Sequence, residues 1–171
     1  MRVGVVDMYK DKSHSYLPMV LVSMGYEVLV VDYKEDWLDT IKSMRIKNWF
    51  ITGSEYDVLS PTAPKIDLEI LNLKNKRFFL ICYSMESVLI QLGCKGIKRK
   101  KAIREFFPLT DKIEAYRSHH TYIVPDSLKP GMRLLATYND DVMTVQYKNL
   151  MMTQWHPERT PDGIEYVKKW L

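Results

Sequence analysis

Cysteine, glycine and long apolar runs are all scarce in this chain. Two cysteines in 171 residues, Cys82 and Cys94, are too few for a disulfide framework. They point instead to a reducing, cytoplasmic setting. No apolar stretch approaches the roughly 18 residues that a membrane span needs. The opening residues Met1-Arg2-Val3-Gly4-Val5-Val6-Asp7 lack a cleavable apolar core after a basic start, so they read as a first strand and not as a leader. Charge of one sign is also lacking. The net charge of +4 is mild, and the one dense basic run, Lys95 to Arg104, carries no interleaved aromatics. A nucleic-acid surface is therefore not expected. That run reads as a solvated loop, with docking of a partner protein or a phosphate-bearing substrate as the sharper alternative. No low-complexity tract, internal repeat, linker or metal-spaced Cys/His cluster is present.

What is present is alternation. Val3 to Val6, Val28 to Val31, Trp49 to Thr52 and Phe78 to Ile81 are short continuous apolar runs, as in strands buried on both faces. Between them lie segments with helical spacing: Leu17, Val20, Leu21 and Met24, then Trp37, Ile41 and Met44. Asp67 to Leu73 reads as a third helix. Gly25 and Gly53 punctuate the first helix and third strand. After Leu92 the chain turns β-rich: Ala115 to Val124, Arg133 to Tyr138, Val142 to Tyr147 and Met151 to Trp155. Asn139-Asp140-Asp141 is placed as a hairpin turn. A last helix spans Gly163 to Leu171. The pattern predicts one α/β domain over 1–171: an open, mostly parallel, flavodoxin-like sheet flanked by helices, with a small antiparallel elaboration.

Two segments carry chemistry. Cys82 sits between the strand Phe78-Phe79-Leu80-Ile81 and the helix-like Ser84 to Ile90. Strand, thiol, helix is the order that lifts a nucleophile above a sheet edge. Far downstream, His156-Pro157-Glu158 presents a base two residues before a carboxylate able to orient it. Cys94 has no such context and reads as a core residue. His119 and His120 are adjacent in a strand, so they face opposite sides, and at most one is expected in a pocket.

Three motifs resemble those of class I glutamine amidotransferases, over nearly the whole length. Ile81-Cys82-Tyr83-Ser84-Met85-Glu86 resembles the family's nucleophile elbow, Gly-Ile-Cys-Tyr-Gly-Met-Gln, in the wording of its GMP synthetase branch. Ile51-Thr52-Gly53-Ser54-Glu55 resembles its Leu-Ser-Gly-Gly-Pro oxyanion loop. Gln154-Trp155-His156-Pro157-Glu158 resembles its Gln-Phe-His-Pro-Glu signature. Arg117-Ser118-His119-His120-Thr121 is similar to a segment lining the family's glutamine pocket.

The resemblance implies an amide hydrolase that releases ammonia from glutamine through a cysteinyl thioester. Cys82 would be the nucleophile, His156 the base and Glu158 its orienter. Gly53, Ser54 and Tyr83 would form the oxyanion hole. Glu86, His120 and Thr121 would contact substrate. No cofactor is implied. The ammonia would pass to a separate synthetase partner. The alternatives are another γ-glutamyl or amide substrate, or an inactive binding or regulatory subunit. The departures motivate these: Leu80 and Ser84 replace elbow glycines, Ser54 and Glu55 replace Gly-Pro, and Glu86 replaces a glutamine that holds the substrate backbone. An ionised Glu86 could not donate a hydrogen bond there.

Overall fold

A computed structural model describes all residues, Met1–Leu171. The strands are β1 (Arg2–Asp7), β2 (Glu27–Asp32), β3 (Asn48–Ile51), β4 (Arg77–Ile81), β5 (Gly96–Thr110), β6 (Ile113–Ile123), β7 (Arg133–Tyr138), β8 (Asp141–Tyr147) and β9 (Leu150–Thr153). The α-helices are α1 (Leu17–Ser23), α2 (Trp37–Ser43), α3 (Tyr83–Gln91) and α4 (Pro161–Trp170). Seven strands form one sheet in the order β2-β1-β3-β4-β9-β8-β7. The first five are parallel; β8 and β7 continue antiparallel. β5 and β6 make a separate two-stranded antiparallel ribbon.

The apolar runs explain the layers. In β4, Phe78 and Leu80 enter a core of 23 buried residues with Trp49, Ile41 and Val88. Phe79 and Ile81 enter a second core of nine with Leu17, Leu21 and Val167. Alternate side chains thus go to opposite faces, and both faces are covered. Each such buried apolar side chain contributes roughly 1.5–3 kcal/mol. A third cluster, Phe107, Leu109, Ala115, Met143 and Trp155, seats the base of the ribbon on the sheet. No helix is long and apolar enough to cross a membrane.

Two expected elements differ. Lys95 to Arg104 is not a loop: from Gly96 onward it is the first part of β5, paired with β6 through Lys98 and again from Ile103, with a register shift between them. The run is exposed or half-exposed throughout, and a register shift interrupts its pairing, so no alternation marks it as a strand. Its cations are partly consumed within the molecule, Lys98 on Asp57 at 2.5 Å and Arg99 on Asp141 at 3.2 Å. Asp67 to Leu73 is not an α-helix but a 3₁₀ turn over Leu68–Asn72. Its few apolar residues suffice for one short turn against the core. The hairpin turn falls where expected, with Asn139 and Asp140 at φ 50° and 59°, the left-handed pair that a tight β-turn requires.

Candidate active site

A cavity of about 490 Å³ opens where the parallel strands end, the place where open α/β sheets bind ligands. β1 runs out into Tyr9, β3 into Gly53 and Ser54, β4 into Cys82, and β9 into Gln154 and His156. The ribbon closes the opposite wall with Lys98, Arg104, Tyr116 and the stretch Ser118 to Thr121.

Cys82 sits at the junction of β4 and α3 with φ 51° and ψ −110°. A non-glycine residue at such a φ is strained, by about 1–3 kcal/mol, and persists only where its surroundings enforce it. Here the Cys82 amide donates to Thr153 O at 2.7 Å, and the Glu86 amide donates to Cys82 O at 3.0 Å. Ser84, one of the glycine replacements, reinforces the turn. Its Oγ lies 2.8 Å from Ile51 O and accepts from the Ile81 amide at 2.9 Å, tying the end of β3 to the elbow. Leu80, the other replacement, is fully buried in the larger core between Ile51 and Met152. It shares that core with Met85 and Val88 of α3.

The thiol donates to Ser118 O at 3.6 Å and accepts from Gln154 Nε2 at 3.6 Å. Burial pushes the thiol pKa well above its ordinary value; the Glu86 carboxyl adds to this, and the Tyr83 backbone N–H opposes it. His156 is buried, with Nδ1 on Glu158 Oε1 at 2.9 Å and Nε2 without a partner. A ring held at Nδ1 by a carboxylate carries its proton there and leaves Nε2 as acceptor. Cys82, His156 and Tyr83 all line the cavity.

The loop after β3 is fixed from below. Ser54 Oγ donates to Met8 O at 2.8 Å. The Glu55 carboxylate accepts from the Lys10 and Asp11 amides and bonds His14 Nδ1 at 2.9 Å. The replacements in this loop therefore stitch it to the segment following β1. A Cβ on Gly53 would lie 2.9 Å from Tyr9 Oη and 3.2 Å from His156 Cε1, so glycine there keeps the imidazole in place.

Of the expected substrate contacts, Glu86 is buried and lines the cavity, Thr121 is buried in its wall, and His120 lies at the exposed mouth. Burial, reinforced by Asp141 and Asp57 and opposed by the Gln154 hydrogen bond, pushes the Glu86 carboxyl up to about 8. The group is thus protonated at neutral pH and able to donate, unlike the ionised carboxylate expected from sequence. His119 turns inward, its Nε2 3.4 Å from Asp141 and its Nδ1 on Thr121 O. Burial first, then Arg117 and Arg99, bring it down to about 4 against the Thr121 contact, so it is neutral. Cys94 is buried in the main core beside Met132.

Sequence reasoning missed Tyr9, His14 and Asp57 at the cavity, and it read the Lys95 to Arg104 run as a solvated loop with a docking patch as the alternative, where the structure places Lys98 and Arg104 on the cavity wall. Tyr9 had a readable signal, its place just past the end of a parallel strand.

Comparison with known proteins gives a consistent picture. The family model described as glutamine amidotransferase class-I matches residues 5–170. A GMP synthase (glutamine-hydrolyzing) of Acetivibrio thermocellus is 29% identical over 151 residues, covering 78% of this chain and 29% of that protein. One from Borreliella burgdorferi is 29% identical over 140 residues, covering 72% of this chain and 26% of that protein. The chain thus spans under a third of these curated relatives. In fold, the chain is similar to a putative GMP synthase subunit protein from Thermoplasma acidophilum. The TM-score is 0.72 at 18% identity, over 99% of this chain and 92% of that one.

Proposed function

The chain belongs to the class I glutamine amidotransferase family, and within it we propose an active glutaminase unit that releases ammonia from glutamine at Cys82. The observation that carries this reading is the strained Cys82 opening on the same cavity as His156, whose ring is held by Glu158 and whose Nε2 is unpartnered.

Because burial favours the neutral thiol, proton transfer to His156 Nε2 accompanies attack. Sulfur bonds to the side-chain amide carbon, and the carbonyl π pair moves to oxygen. Backbone N–H groups of Tyr83 and Ser54 then face that oxyanion, each such donor worth about 3 kcal/mol; Gly53 leaves room for it. Collapse breaks the C–N bond, and His156 returns the proton to the departing ammonia. Water, activated by the same ring, cleaves the thioester and releases glutamate. Glu158 holds the imidazole in its tautomer throughout.

Protonated Glu86 takes the place of the family's glutamine as a donor to the substrate backbone, with Thr121 and His120 beside it. The names of the relatives point to the ammonia acceptor: a synthetase of the GMP synthase kind, outside residues 1–171. Glutamate formation from glutamine is the test, measured with and without such a synthetase. Wild type should turn over. Cys82→Ser should lose at least about 10³-fold, and equal rates in the two proteins would overturn the reading.

A further inference from the structure

Gln154 and Glu86 both touch the surroundings of the nucleophile, and nothing in the chemistry above uses Gln154. Its side chain is fully buried at the end of β9. The Nε2 group has two hydrogens to give. It lies 2.8 Å from Glu86 Oε1 and 3.6 Å from Cys82 Sγ. The amide is therefore wedged between a carboxyl group and the thiol, while the thiol's own proton is directed at Ser118 O. Glu86 stands one turn along α3 from Cys82, held by its amide on Cys82 O.

An N–H donor is worth more to an anion than to a neutral sulfur. As the sulfur gains charge, the Gln154 contact strengthens. A carboxylate at position 86 has the opposite effect: its charge faces the same low-dielectric space, where like charges repel strongly. We propose that Gln154 is a catalytic donor to the Cys82 sulfur as it becomes anionic, and that Glu86 is a positioning residue that aims this amide and, when ionised, opposes the same anion. The proposal rests on Cys82 being the nucleophile of the preceding section, but its test reads the sulfur and not glutamine turnover.

Other groups face this space and bear on any pH profile. His156 and Glu158 come from the segment after β9, and Tyr9 from the segment after β1. Asp141 at the start of β8 and Asp57 at the mouth both act on Glu86, and Lys98 of the ribbon pairs Asp57. Tyr83 lies on α3 itself, and neutral His119 comes from β6. A profile of one protein sums these groups; the difference between variants isolates Glu86 and Gln154.

The experiment is the rate of iodoacetamide alkylation at Cys82, resolved from Cys94 by peptide mass, between pH 6 and 10. Wild type, Glu86→Gln and Gln154→Met are compared, each shown to be folded by circular dichroism. Glu86→Gln should leave alkylation unchanged below about pH 8, where Glu86 is neutral, and speed it roughly tenfold above that, moving the midpoint down by about one pH unit or more. Gln154→Met should move it up; if that variant does not fold, the uncharged Gln154→Leu should shift it the same way. A Glu86→Gln profile superimposed on wild type overturns the proposal, as does an unmoved profile in a folded Gln154 variant. A shift without glutaminase activity would leave this pair standing and remove the glutamine reading.

Discussion

At position 86, one residue type separates this chain from the family's elbow motif, and burial changes what that residue is. The carboxyl titrates near 8 in the fold against an ordinary value of 4.5. Its contribution to stability is fully present below about pH 4.5 and is lost as pH rises toward 8, because the folded state resists the charge that the unfolded state accepts. Glu86→Gln removes that loss. It should stabilise the protein by a few kcal/mol more at pH 8.5 than at pH 4.5, measured by urea unfolding at both values; an equal effect at both would contradict the assignment. The strand-end position of Cys82 and the His156–Glu158 contact were legible in sequence because motif spacing reports the strand ends and the local i, i+2 contact. The protonation of Glu86 was not, because it depends on burial first and then on Asp141 and Asp57, from two other parts of the chain, against the Gln154 hydrogen bond.

The parallel elements were legible because each is apolar on both faces. Their contact demands were not. Gly4 of β1 lies opposite Trp49 of β3, and a Cβ there would come within 2.2 Å of the indole. Gly4→Ala should therefore cost at least about 2 kcal/mol through overpacking, seen as a lower urea midpoint at unchanged slope. Gly53→Ala meets a different neighbour, and its methyl would press on Tyr9 and His156. Glutamine turnover should fall by about tenfold or more while the urea midpoint moves little. The ribbon strand β5 escaped sequence reading because its first part is mostly charged and its register shifts: Lys98 and Arg104 line the cavity, Lys100 and Lys101 are exposed, and charge hides the period of a strand.

Across the molecule, the ribbon is joined to the sheet by a buried charge cluster. Asp141 is fully buried at the start of β8, 3.2 Å from Arg99 of β5 and 3.5 Å from Arg117 of β6. Arg117 also bonds Glu105. Asp141→Ala leaves two cations without their shared partner, and breaking such a cluster costs about 3–5 kcal/mol. Amide exchange in β5 and β6 should rise well above that in β4; uniform protection would show that the apolar base of the ribbon holds it alone.

If residues 1–171 hold a working glutamine site around Cys82, a glutamine-mimicking electrophile should find it without help from a partner. Intact-mass labelling with such a reagent, comparing wild type, Cys82→Ala and Cys94→Ala, reads nucleophile and pocket together. One label per chain is expected in wild type and in Cys94→Ala, and none in Cys82→Ala. Absence of label at Cys82, in a folded protein whose thiol still reacts with iodoacetamide, would contradict the glutamine site.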